Sequence, residues 1–262
     1  MDCWILYDQC DLEKNRFFAE RLREYASDCG FDARIVTSEM LPDGCPDAVV
    51  SRTRDWSLTC RLESLGAKVF NPSSVSRICN DKSETYRFAE SLGIPILARS
   101  LPGEPLPPGP PWVVKSRTGH GGTEVFLARN PPEIGRIAGS MESPCLIQEM
   151  APVPGRDMRA YVLNGKVIQC VMRSSDRDFR ANHGLGGRAE LCDTPVTAER
   201  IVGKVCGALG PCFVGVDFLF GEDGKMFLNE IEDVVGTRML YELTDLDPAR
   251  ILIDDVHSKI SL

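Results

Sequence analysis

The stretch FVGVDFLFGEDGKMFLNEIE, residues 213–232, reads as two apolar strands with a charged turn between them. In its second half Phe227, Asn229 and Ile231 point one way, and Leu228, Glu230 and Glu232 the other. With Asp223-Gly224 as a tight turn, Asp217 falls opposite Glu230 and Gly215 opposite Glu232. A longer turn over GEDG shifts the pairing by two and keeps all three acids on one face. Opposed residues hold their Cβ atoms about 4.5–5.5 Å apart, so such carboxylates repel one another unless a cation lies between them. Gly215 leaves room for one. Oxygen ligands from neighbouring strands suit Mg²⁺, which keeps waters and substrate phosphates as its other ligands. No EF-hand spacing supports a Ca²⁺ cage built of protein alone. The plainer reading is a solvated face with casual acids, and the apolar flanks argue against it.

Composition sets the outer limits. The 262 residues are 43% hydrophobic and 26% charged, the range of an ordinary globular chain with a sizeable core. The net charge is −8 and no long basic run occurs, so no nucleic-acid partner is expected. No run of about 18 apolar residues is present to cross a membrane. The chain starts acidic and its first apolar run, CWIL, is short, so no secretory leader is expected. Eleven cysteines are scattered singly, with no CxxC, and an odd number cannot all pair. They read as small buried hydrophobes in a reducing compartment, which points to the cytoplasm.

Outward from the acidic hairpin, the first eighty residues alternate strands and helices. CWILY (3–7), ARIVT (33–37), DAVVSR (47–52) and KVFN (68–71) are strand-like. Helices are expected from about Leu12, with Phe17, Leu22, Tyr25 and Ala26 inward, and over 57–66. That alternation predicts a small parallel sheet. Residues 80–95 form a helix capped by Asp81 or Ser83 and stopped at Gly93. The proline-dense 101–111 is a loop. WVVKSR (112–117), TEVFLA (123–128) and CLIQEM (145–150) predict a second small sheet, with a helix over 131–141. DMRAYVL, Asn164-Gly165 and KVIQCVMR form a hairpin. A charged, glycine-rich loop (174–190), a helix (196–210), the acidic hairpin and a helical tail capped by Asp247 complete the chain. The expected division is 1–80, 81–150 and 151–262.

Two lysines stand out. Lys82 opens a helix, and Lys115 lies inside the apolar strand WVVKS just before RTGHGG. A glycine-rich turn after a strand lets backbone N–H groups approach an anion. The Walker pattern GxxxxGK[ST] is absent, so the reading is a flap over nucleotide phosphates. His120 lies in that flap. In LIQEMAPVPGRDMR a strand edge is placed to read a base, and Asp157 to accept from ribose hydroxyls.

In order, DK opening a helix, VVK before a glycine loop, QEM, GRDMR, DFRAN, GVDF and NEIEDVVG resemble the ATP-grasp superfamily. The likeness is strongest to the ribosomal-protein glutamate ligases and related amino-acid ligases. It implies an α/β chain of ATP-grasp architecture: a small N-terminal parallel α/β lobe, a central lid lobe and a C-terminal antiparallel-sheet lobe. It further implies that Lys82 and Lys115 hold ATP phosphates, that Gln148, Glu149 and Met150 read adenine, and that Asp157 binds ribose. By the same resemblance Arg180 and Asn182 face the triphosphate and metal. Asp217, Glu230 and Glu232 ligate Mg²⁺, with Mn²⁺ as the alternative, and Arg173 lies beside the acyl phosphate. Lys115, Arg173 and Arg180 are the catalytic candidates. Two positions depart from the pattern. Glu232 stands where asparagine is usual, and Val234-Val235-Gly236 where Ser-Pro-Gly is usual.

The activity implied is ATP-dependent joining of a carboxylate to an amine through an acyl phosphate, the substrates being an amino acid or peptide. The other readings are an ATP–Mg²⁺-binding regulator without catalysis, which Glu232 favours, and a small-molecule kinase. Substrate is expected between the first and third lobes. Arg52 and Arg54 follow the third strand, at the end where open α/β sheets place ligands. Arg177 and His183, in the 174–190 loop, are the other substrate candidates. Self-association is left open.

Overall fold

The computed structural model describes residues 1–260 in three sheets. The first is parallel, in the order β2-β1-β3-β4, from β1 (Asp2–Tyr7), β2 (Asp32–Thr37), β3 (Ala48–Arg52) and β4 (Lys68–Phe70). Alternation along β1 supplies two layers at once. Cys3, Ile5 and Tyr7 pack toward α1 (Gln9–Asp28), while Trp4 and Leu6 pack toward α2 (Trp56–Ser64). The inward stripe of α1 is Leu12, Phe18, Ala19, Leu22 and Ala26. Phe17, expected inward, is 64% exposed. At about 100° per residue the stripe running through Leu22 and Ala26 passes Phe18 one turn back, and Phe17 instead meets Tyr241 edge-on at 5.4 Å.

Two short helices, α3 (Ser73–Cys79) and α4 (Lys82–Ser91), lead to the middle sheet. Asp81 caps α4 by accepting from the Ser83 N–H at 2.8 Å. One turn apart on that helix, Lys82 and Tyr86 share a face. The middle sheet is antiparallel, in the order β5-β8-β6-β7: β5 (Arg99–Ser100), β6 (Trp112–Ser116), β7 (Val125–Ala128) and β8 (Cys145–Glu149). One face, with Trp112, Val114 and Ile147, packs on α5 (Pro131–Ser140). The period of two then turns Val113 and Lys115 to the other face, where they line a cavity.

The third sheet is antiparallel, in the order β11-β10-β9-β12-β13. Its strands are β9 (Arg156–Leu163), β10 (Lys166–Ser174), β11 (Arg188–Cys192), β12 (Phe213–Phe220) and β13 (Met226–Glu232). Asn164 (φ 50°) and Gly165 (φ 81°) form the β9–β10 turn, the positive-φ pair that the Asn-Gly sequence favours. Met158, Ala160, Val162, Val214 and Val216 pack on α6 (Val196–Leu209). The opposite face carries the polar groups. Tyr161, Phe213 and Val235 join the α1 layer together with α7 (Arg238–Leu243) and α8 (Pro248–Ile260), so one core runs from the first sheet into the third. Asn71 ties the two: its Nδ2 donates to the Phe213 carbonyl at 2.8 Å and the Asp233 carbonyl at 3.2 Å, and its Oδ1 accepts from the Phe213 N–H at 2.7 Å.

The acidic hairpin reaches its expected register by another route. Phe220 pairs with Met226, so the turn is longer than two residues, yet Asp217 still faces Glu230 and Gly215 still faces Glu232. A bulge between Asp217 and Phe218 on the pairing ladder absorbs the difference, leaving Asn229 unpaired. The bulge also breaks the alternation. Leu228 joins Met226 and Ile231 in the core, and Asn229 turns to the polar side with the acids. No helix among the described residues is long and apolar enough to cross a membrane.

Candidate active site

Each sheet contributes one wall to a pair of adjoining cavities. The smaller, about 770 Å³ of empty space, lies between the middle and third sheets. Lys82, Lys115, Gln148, Glu149, Met150, Asp157, Arg173, Arg180, Asn182, Asp217 and Glu230 all line it. The larger, about 2130 Å³, opens between the first and third sheets and is lined by Arg52, Arg54, His183 and Glu232 among others. Lys82, His120, Arg173, Asn182 and Glu230 face both, so the cavities meet there. Arg177 lies apart from both. It is exposed and lines neither cavity, because the loop around it turns on the Ser175 hydroxyl at the surface.

Oxygen atoms of Asp217, Glu230 and Glu232 lie within 4.8 Å of one another. The positive groups that such a cluster demands are present. Arg159 donates to both oxygens of Asp217 at 2.7 Å and reaches Glu232 at 2.7 Å. Arg173 bridges Asp217 (2.7 Å) and Asp157 (2.5 Å). Lys82 pairs with Glu230 at 2.9 Å. Burial pushes the Asp217 carboxyl up, but Arg159 and Arg173 overrule it and hold it well below the usual carboxylate range. Glu232 is raised by burial, with Arg159 opposing. Asp157 is likewise raised by burial against Arg173. Gly215 does not leave open space beside the acids. A Cβ there would lie 2.6 Å from a methyl of Val235, which already fills the gap.

Arg159 has no counterpart among the sequence candidates, and only its period-two relation to Asp157 hinted at it. It follows Asp157 by two on the same strand face, and β9 pairs with β12 so that Arg159 faces Asp217. It also accounts for the departure at Glu232, whose extra carboxylate it pairs.

Lys115 is 4% exposed; its Nζ donates to Tyr86 Oη at 2.7 Å and Asn229 Oδ1 at 3.0 Å. Gln148 donates to the same Tyr86 oxygen at 3.2 Å. Burial and the nearby charge of Lys82 pull the Lys115 pKa down to about 7, against the pull of Glu230. Lys82 ends above its ordinary value, because Glu230 outweighs its burial. The glycine flap between β6 and β7 is held over the cavity. Lys82 donates to the Gly119 carbonyl, and Arg180, paired with Asp178 at 2.7 Å, donates to the Gly122 carbonyl at 2.8 Å. Gly122 (φ +76°) sits against Asn182, whose Oδ1 would be 2.9 Å from any Cβ. Burial and the neighbouring Arg54 lower the pKa of His120. At the back of the smaller cavity, Glu149 accepts from the Ala98 N–H at 2.9 Å.

The donor set fits a hard divalent cation: three carboxylates, no sulfur or imidazole, beside a row of anion-binding side chains. Asp217 is already engaged by two arginines. Glu230 and Glu232, with side chains 18% and 20% exposed, are the more open of the three carboxylates.

The profile of the RimK-like ATP-grasp domain matches residues 108–256. An uncharacterized protein, MG011 of Mycoplasma genitalium, is 28% identical over 251 residues, 95% of this chain and 85% of that one. Beta-citrylglutamate synthase B of Danio rerio is 29% identical over 81% of this chain. A probable alpha-L-glutamate ligase of Shewanella pealeana is 25% identical over 82%. This chain spans 56% and 51% of the lengths of those two proteins. Among solved structures, D-cycloserine synthetase DcsG superposes with a TM-score of 0.80 at 16% identity, over 99% of this chain and all of that one. The ligase PsnB, in a complex with a precursor variant, Mg and ADP, superposes at 0.73 with 15% identity, over 98% of each chain. The fold is therefore that of ATP-grasp proteins.

Proposed function

The chain belongs to the RimK-like ATP-grasp family and is an ADP-forming carbon–nitrogen ligase of it; from that premise we propose that it joins an amino acid or peptide carboxylate to an amine through an acyl phosphate. The observation that carries this reading is the meeting of the two cavities. Lys82, Lys115, Arg173, Asp217 and Glu230 line the smaller one, and Arg173, Lys82 and Glu230 also open onto the larger cleft, which Glu232 lines.

ATP occupies the smaller cavity in this reading. Gln148, Glu149 and Met150 flank the base, and Asp157 the ribose. Lys82, Lys115, Arg180 and Asn182 take the phosphates. Asp217, Glu230 and Glu232 would hold a Mg²⁺ ion, which would supply charge neutralisation to the phosphates. The substrate carboxylate attacks the γ-phosphorus, the bond to the bridging oxygen breaks, and ADP leaves. The amine lone pair then forms the C–N bond, the acyl C–O bond breaks, phosphate departs, and the amine gives up its proton. Positioning and fixed positive charge do the catalysis, with Lys82, Lys115 and Arg173 facing the charge that develops. The flap, tied down by Lys82 and Arg180, keeps water from the acyl phosphate.

Release of ADP with mixtures of amino acids, run with and without hydroxylamine, tests the reading. A ligase forms a hydroxamate. A kinase acting on a hydroxyl releases ADP without one, and a binding protein releases none; either result would overturn the proposal.

A further inference from the structure

Joining an amine to an acyl phosphate releases a proton, and the place to take it up is where the two cavities meet. The side chains that face both cavities are Lys82, His120, Arg173, Asn182 and Glu230. Lys82 and Glu230 neutralise each other at 2.9 Å. Arg173 is a permanent cation bridging Asp157 and Asp217. The amide of Asn182 neither takes up nor gives off a proton. His120 remains, and imidazole is the side chain that exchanges a proton near neutral pH.

The flap holds His120 by its backbone and leaves the ring free. Lys82 donates to the Gly119 carbonyl, Arg180 to the Gly122 carbonyl, and the Thr123 hydroxyl to the carbonyl of His120 itself at 3.2 Å. No side-chain or backbone group among the described residues makes a hydrogen bond to the ring. The charged groups around it are Asp11 on α1, Arg54 after β3, Lys82 on α4 and Glu230 on β13, and Arg173 of β10 faces the same junction. Coverage by the protein, then Arg54 and Lys82, hold its pKa below the ordinary value, against Asp11 and Glu230. The ring is therefore uncharged at neutral pH and has a lone pair to offer.

The other two histidines are not equivalent. His183 has both ring nitrogens engaged, Nδ1 at 3.1 Å from the Gly187 carbonyl and Nε2 at 2.9 Å from Glu242. His257 packs edge-on against Phe31 and lines neither cavity. Asp233 lines only the larger cleft, and its carboxylate accepts from the Val234 N–H at 2.8 Å.

We propose that His120 is the base that takes the proton from the attacking amine. This rests on the ligase reading and assigns a further residue to its second half-reaction. As the amine lone pair forms the C–N bond, the proton on nitrogen passes to the free ring nitrogen of His120. The acyl C–O bond breaks, and phosphate leaves with that electron pair. His120 is exposed on the flap, so the imidazolium returns its proton to solvent.

The test compares two nucleophiles, using the protein with ATP, Mg²⁺ and a mixture of the twenty L-amino acids. Hydroxylamine is uncharged at neutral pH and attacks an acyl phosphate unaided. An aliphatic amine is an ammonium there and must first lose a proton. The His120 ring has no hydrogen bond to lose, so His120→Gln melts with the parent. At neutral pH its amide formation, read by mass spectrometry, falls about a hundred-fold relative to its hydroxamate formation, as removal of a general base implies. Imidazole added to His120→Ala recovers part of the lost amide. NMR gives a readout apart from turnover. The chain has three histidines, so the imidazole signal missing from the variant is that of His120. In the parent, amide formation rises with pH through the titration of that signal and then levels. In His120→Gln it climbs on, because only amine already deprotonated by solvent can react. An amide-to-hydroxamate ratio within about three-fold of the parent, or a parent profile that does not bend where His120 titrates, overturns the assignment. Failure of the ligase reading shows in the parent instead, which then forms no hydroxamate at all.

Discussion

Lys115 offers a quantitative test of the phosphate site. Its pKa drops from 10.5 to about 7 because the ammonium is buried next to Lys82. At about 1.4 kcal/mol for each pH unit, the fold bears a penalty of about 5 kcal/mol when that group is charged. The folded value lies below the unfolded one, so between pH 7 and pH 10.5 the unfolded chain binds more protons. The penalty is complete below this window and fades as pH rises through it. Lys115→Met keeps the length of the side chain and removes the charge. The stability difference between the variant and the parent should therefore fall by about 1.4 kcal/mol per pH unit from about pH 7 to about pH 10, measured by urea denaturation. Nucleotide binding gives the second arm. A phosphate beside Nζ favours the charged form, and at about pH 8 about nine-tenths of Lys115 is neutral beforehand. Binding of AMP-PNP with Mg²⁺ should then take up about 0.9 proton more in the parent than in Lys115→Met. Titration calorimetry in buffers of different ionisation heat reads this directly. Equal proton uptake by both proteins, or a stability difference indifferent to pH, would refute the argument.

Other outcomes follow from particular contacts. Glu230→Ala removes a ligand from the acid triad and the partner of Lys82, and should abolish ADP formation while the circular dichroism spectrum stays unchanged; near-normal turnover would remove Glu230 from the site. Glu232→Asn puts in the residue that the family resemblance implies and leaves Arg159 paired with Asp217, so ADP formation should persist within about ten-fold of the parent, since Asn still offers an oxygen ligand. Asn71→Ala breaks three buried hydrogen bonds between the first and third sheets and should cost about 3 kcal/mol in denaturant unfolding; a loss under about 1 kcal/mol would mean that these bonds add little to the other contacts joining the sheets.

Much of the architecture could be read from local pattern. The strand–helix alternation of residues 2–70 specifies a parallel sheet, and Asn164-Gly165 specifies a hairpin with positive φ at both turn residues. Asp217, Glu230 and Glu232 share a face because side chains on paired strands alternate. Lys115 was marked by being a charge in the middle of an apolar strand. These signals act over a few residues, where backbone geometry alone sets the direction of a side chain.

What escaped the sequence depended on who meets whom across the fold. The bulge at Asn229 moved Leu228 into the core, because the turn length and the acid register had to be reconciled. Residue type and pattern point Phe17 to the core and Arg177 to the substrate, yet the rotation of a helix and the course of a loop leave both exposed. Arg159 could be named as the partner of Asp217 and Glu232 only once β9 was known to lie beside β12. His120 came to face both cavities only once the flap was laid between the sheets. Local chain geometry decides which way a residue points; the charge or hydroxyl it ends up facing is decided by strands distant in sequence, since Coulombic and hydrogen-bond energies depend on distance in space.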